Sequence, residues 1–137
     1  MNKLTVARVL FAIPGLFILM SGLMFLFNPA GAADKLLLVP QGAEGLSNLR
    51  GMLGASVIAV GSSVLLGAVT AKLEYVRPGA IFVLVLIGAR VLSYVVDGPN
   101  DSIVLFVAVP STVFMLLVAG HKLLDSAHAE EAQTARA

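Results

Sequence analysis

The residues of this chain best placed to do chemistry are charges set inside apolar runs. In the stretch from Gly88 to Gly98, Arg90, Ser93, Tyr94 and Asp97 fall on one stripe of a helix at about 100° per residue, with Arg90 about two turns, ~10 Å, below Asp97. A charge in hydrocarbon costs several kcal/mol unless it is paired or wet, so this stripe is expected to face protein and not lipid. A second arginine follows Ser47-Asn48-Leu49, where another apolar run begins. If the two runs lie antiparallel, Arg50 comes to a depth between Asp97 and Arg90, and Ser47, Asn48, Ser93 and Tyr94 converge with the three charges. Two guanidiniums against one carboxylate would leave a positive surplus suited to a carboxylate or phosphate. The alternative reading is structural, with Arg50 and Arg90 sharing Asp97 and locking two helices together; both readings stand at this level.

Other chemistry finds no support. There is no cysteine, which excludes disulfides, thiolate metal sites and thiol redox chemistry. His121 and His128 lie seven residues apart, at and beyond the end of the last apolar run, and read as interfacial or solvated side chains and not as metal ligands. Ser93 has no histidine at its depth to activate it. Asp97 and Asp101 straddle a turn beside water and make no acid-base pair. No phosphate loop, dinucleotide fingerprint or nucleic-acid patch is present. The chain therefore reads as non-catalytic, with no cofactor, no metal and no nucleic-acid partner expected.

The elements that must position Arg50, Arg90 and Asp97 follow from composition. Of 137 residues, 58% are hydrophobic and 12% charged, with a mean hydropathy of +0.97, outside the usual soluble range. The excess lies in four runs, about residues 5–27, 46–70, 78–97 and 102–123, each long enough to cross a ~30 Å hydrocarbon layer as a helix. The expected fold is all-α: an integral membrane four-helix bundle, antiparallel and up-down, over residues 1–124, with a polar cytoplasmic tail over 125–137. Lys3, Arg8, Lys72, Arg77, Lys122 and Arg136 flank the ends that an even number of spans brings together, whereas the opposite loops carry only Lys35. The positive-inside rule then puts both termini in the cytoplasm and the protein in the inner membrane.

Between the spans, Asn28 suits a helix cap and Pro29 the first helical position. Two readings stand for the stretch before Pro40: a short helix on the outer interface with Leu36, Leu37 and Leu38 dipping into the bilayer, or a loop tucked over the mouth of the bundle. Pro14 and Pro110 sit near the middle of spans one and four and predict a bend in each. Pro78 is expected in the first turn of span three, and Gly98-Pro99-Asn100-Asp101 as a tight turn. In span two, Ser47, Arg50, Gly54, Gly61 and Ala68 share one stripe, and Gly51, Ala55 and Ser62 a second. Small residues let helices approach closely in lipid, so span two is expected to meet two neighbours through Gly51, Gly54 and Gly61 and to sit centrally.

Leu49-Arg50 followed by Gly54, and Arg90, Ser93, Asp97 and Gly98 with proline close behind, resemble the pattern of a bacterial family of small four-span membrane proteins, domain of unknown function 4345. The likeness to DoxX-like proteins is looser. The resemblance implies a four-helix bundle and supplies no activity. That family often has glycine where this chain has Ala89 and an acid within the fourth span, where Pro110 and Ser111 stand here; a member lacking that acid has a more positive site. Three functions are carried forward: binding a lipid-like or anionic amphiphile in the outer half of the bundle, packing as an accessory subunit or homo-oligomer in a larger membrane complex, and acting as a small transporter or lipid-modifying protein.

Overall fold

The computed structural model describes residues 2–98 and 103–134, and its elements are all helical. Helix α1 (Lys3–Phe27) is capped by the Asn2 side chain, which accepts from the Leu4 amide at 3.3 Å. It ends where the Asn28 amide donates to the Met24 carbonyl at 2.9 Å. The Asn28 side chain then caps α2 (Pro29–Lys35), accepting from the Gly31 amide at 3.2 Å, with Pro29 in the first turn, where a missing N–H loses nothing. Helix α2 stops earlier than the sequence suggested. The amides of Leu37 and Leu38 fold back onto the carbonyls of Asp34 and Ala33, with Leu37 in the left-handed region at φ 57°. Leu36, Leu37 and Leu38 therefore form the closing turn and are not part of the helix.

Span two is one continuous helical rod of 29 residues, from Gly42 to Thr70. It comprises α3 (Gly42–Asn48), a π-helical turn (Leu49–Gly54) and α4 (Ala55–Thr70). Ala71, at φ 56°, closes it, and α5 (Leu73–Asp97) follows directly. Pro78 thus lies inside α5 and not in its first turn. Its missing amide leaves only the Glu74 carbonyl without a donor, at an exposed helix end where water can take the place. Helix α6 (Ile103–Thr134) runs far past the apolar stretch. Leu124 and Ala127 are buried, and Lys3 on α1 pairs with Glu130, so the tail from residue 125 continues the helix through Thr134. Hydropathy sees only the part of a helix that matches lipid, which is why all four rods are longer than the apolar runs, α1 by only two residues. Gly98, at φ 90°, ends α5. The remainder of the turn expected over 98–101, the expected start of span four at Ser102, and Arg136 lie outside the described residues.

The long helices pack as a ring: α1 against α4 and α6, and α5 against α4 and α6. Glycines set the closest approaches. A β-carbon on Gly61 would stand 2.5 Å from the Leu19 amide nitrogen, and one on Gly22 2.7 Å from that of Ile58. Gly15 lies against Val64 and Leu65, so residue numbers rise along α1 as they fall along α4. Gly54, Gly61 and Ala68 are buried on this face. Span two meets α5 through Val60, Ser63 and Val64, with Ser63 donating to the Tyr75 carbonyl at 2.5 Å and Val64 and Val60 lying under Gly79. Gly51 and Ala55 are exposed, and Gly51 has nothing within 4 Å of a β-carbon position. The expected second stripe is therefore not the second contact. In a ring the two neighbours of a helix lie on adjacent faces, here sharing Val64, and span two is one corner of the ring and not its centre.

The core belongs to the half of the ring that carries the termini. Phe11, Val64, Val76, Leu117 and Leu124 are each 1% exposed or less. No residue of α5 from 84 to 97 is buried, and none of α6 from 104 to 109. The seam between α5 and α6 is tight at the end carrying the termini and loose at the other, where α1, α2 and span two stay packed with Phe25, Ala32, Ala33 and Gly54 buried; the charged residues of the Arg90 stretch lie on the loose seam.

Candidate functional site: the loose end of the ring

Arg50 sits in the π-helical turn, a geometry that is rare and recurs at functional positions. Its Nε donates to the Leu26 carbonyl at 3.2 Å. Leu26 is in the last turn of α1, where carbonyls have no helical donor and the helix dipole favours a cation. Arg50 therefore closes the end of α1, while the rest of its guanidinium remains exposed.

Arg90 is half-buried, and its guanidinium carbon lies 4.8 Å from the centre of the Phe106 ring on α6. A cation over an aromatic face is attracted by the ring quadrupole, and the attraction grows as water is removed. One helical turn further along, the Ser93 hydroxyl donates to Asp97 Oδ2 at 2.7 Å, across four residues of the same helix. Tyr94 is 47% exposed and lines a shallow hollow of about 350 Å³ with Val91, Val104 and Val107, on the seam between α5 and α6. Ser47 and Asn48 are exposed on α3, and Asn48 lines a cup of about 570 Å³ under Leu38, Val39 and Pro40.

The structure thus brings Ser93 to Asp97, Arg90 to Phe106, and Arg50 to the end of α1. Among the described residues, no ion pair joins Arg50, Arg90 and Asp97; the recorded pairs are Lys3–Glu130, Lys72–Glu74 and His121–Asp125. The acid is occupied by a hydroxyl on its own helix, and each arginine keeps guanidinium N–H groups with no acceptor among the described residues. Sequence reasoning missed both partners of the arginines. Leu26 offers a backbone carbonyl, which every residue has, and Phe106 is one of seven phenylalanines. It also read Arg77 and Lys122 only as topology markers and His121 as an interfacial or solvated side chain, although α5 and α6 bring all three to one groove. Among the described residues there is no cluster of three or more His, Cys, Asp or Glu that could hold a metal ion.

Four helices long and apolar enough to cross a bilayer, with residues that are mostly lipophilic all round, define a helical multi-pass membrane protein. Within that class the chain belongs to the family described as Domain of unknown function (DUF4345), whose pattern matches residues 6–121, from the first turns of α1 to His121 in α6. No characterised protein and no solved structure matches the chain.

Proposed function

We propose that this protein is a non-catalytic, four-span protein of the bacterial inner membrane that binds an anionic amphiphile in the outer half of its bundle. In this reading the spans run antiparallel, up and down, with both termini cytoplasmic, and α2 with its closing leucine turn lies on the outer interface. The ligand is a phospholipid, fatty acid or quinone-like molecule whose head group meets Arg50 and Arg90, which stand on adjacent rods. The observation that carries it is that, among the described residues, neither arginine has an acidic partner. Each is held by one neutral group, a carbonyl or a ring, and each retains donors suited to a carboxylate or phosphate. The loosely packed ends of α5 and α6 supply apolar surface beside Arg90.

Native mass spectrometry of protein extracted in native lipid particles tests this, with wild type beside Arg50→Ala and Arg90→Ala. A bound species of defined mass that disappears in the variants supports the reading and identifies the ligand. Unchanged occupancy in folded variants ends it.

A second reading, as an accessory subunit or homo-oligomer, is favoured by Gly51, Ala55 and Ala59, small residues left exposed on span two. Small residues on an open helix face suit contact with another helix. A monodisperse monomer in mild detergent, with no partner cross-linked in native membranes, counts against it.

A further inference from the structure

At the end of the bundle remote from Asp97, α5 and α6 enclose a groove of about 330 Å³. Val76 and Leu117, each 1% exposed, form its floor, and Ala80, Ile81, Phe114 and Val118 its walls. Its volume falls in the range of ligand pockets, and its lining is almost wholly apolar. One end of it differs. Arg77 from α5 and His121 and Lys122 from α6 line the groove at its terminal-side end, whereas Ile81, Phe114 and Val118 lie about one to two turns deeper along their helices.

Among the described residues, Arg77 and Lys122 are not neutralised. Lys3 is paired with Glu130, and Lys72 with Glu74. Among the described residues the side chains of Arg77 and Lys122 make no ion pair or hydrogen bond. Asp125 is the nearby acid on α6; it does not line the groove, and its carboxylate is met by His121 Nε2 at 3.3 Å. Two free cations above an apolar slot match a molecule with an anionic phosphate at one end and a hydrocarbon chain at the other.

We propose that this groove is a binding site for an anionic phospholipid of the leaflet on the side of the termini. Arg77 takes the phosphate through its guanidinium fork, Lys122 supplies a second positive charge, and one acyl chain lies between α5 and α6 over Val76 and Leu117. A zwitterionic lipid brings its own cation to the same place and is disfavoured. The site is separate from the one built on Arg50 and Arg90 and does not depend on it.

The test reconstitutes the whole protein in nanodiscs of phosphatidylcholine with a minor fraction of phosphatidylglycerol, then counts the lipids retained on gentle release into the mass spectrometer. Wild type is expected to keep phosphatidylglycerol in preference to phosphatidylcholine. Arg77→Gln with Lys122→Gln is expected to weaken that retention roughly 30-fold, two basic side chains near a membrane surface being removed. Both positions are exposed, so the fold is not at stake. Ala80→Phe, which fills the groove and leaves both cations, is expected to weaken retention as well. Arg50→Ala with Arg90→Ala leaves the loss caused by the Arg77 and Lys122 changes unaltered. Equal retention of the two lipids by wild type overturns the proposal, as does retention that survives the glutamine pair. Full retention by Ala80→Phe also overturns it, because the attraction is then a surface effect with no chain in the groove.

Discussion

Gly61→Ala should separate α1 from α4, and the size of the effect follows from the contact. The new β-carbon would stand 2.5 Å from the Leu19 amide nitrogen and 2.8 Å from its α-carbon. These are backbone atoms of a buried helix, which no rotamer change can move. Ordinary contact begins at 3.4 Å, so the two rods must part by roughly 0.9 Å at this level. Overpacking of this kind costs about 1–3 kcal/mol. The control is Gly51→Ala on the same rod, where nothing lies within 4 Å. Gly61→Ala, in regular α-helix, gains ~1 kcal/mol of helix propensity, and Gly51→Ala, in the π-helical turn, gains at most about as much, so this contribution cannot mimic the expected loss. Reversible unfolding in mixed micelles should therefore place Gly61→Ala about 1–3 kcal/mol below Gly51→Ala. Equal stability of the two variants would mean that α1 and α4 do not pack in this register, and the ring built on that contact would fall with it.

Two further changes probe other parts of the ring. Ala71 holds a left-handed conformation at φ 56°, so Ala71→Gly should stabilise the protein by about 1 kcal/mol in the same assay, whereas Thr70→Gly, one residue earlier in the helix, should destabilise it by a similar amount. A β-carbon on Gly120 would meet the Phe11 ring at 2.6 Å, so Gly120→Ala should destabilise and Phe11→Leu should relieve it. A double-mutant cycle is expected to show coupling of at least ~0.5 kcal/mol, and strict additivity would rule out the α1–α6 contact.

The expected partners of Arg50 and Arg90 illustrate what a sequence of this kind can show. Both arginines are legible as unusual, because a charge in an apolar run stands out against its neighbours whatever the fold. Their partners are not legible. Arg50 is held by the carbonyl of Leu26, and Arg90 by a ring on a helix that follows a turn. The π-helical turn at Leu49–Gly54 lengthens one turn of the rod, yet Arg50 and Gly54 both meet Leu26 of α1, so the stripe through Arg50, Gly54 and Gly61 survives in three dimensions, and Ser47, exposed on α3, is the member that does not join it.

By itself the sequence determined that the chain is helical and carries four rods of spanning length, because those properties are local: twenty apolar residues in a row are enough, and Asn28-Pro29 marks a cap wherever the helices go. It also marked Gly54 and Gly61 on a single face, since seven residues make nearly two turns. Tertiary structure alone decided which face meets which neighbour, that the four rods close into a ring, and that the α5–α6 seam is tight only at the end carrying the termini. In a soluble bundle the polar side of each helix would have revealed its inner side. In a protein whose surroundings are as apolar as its interior, lipid-facing and protein-facing residues are chemically alike, so the pattern along the chain carries almost no record of which way each helix faces.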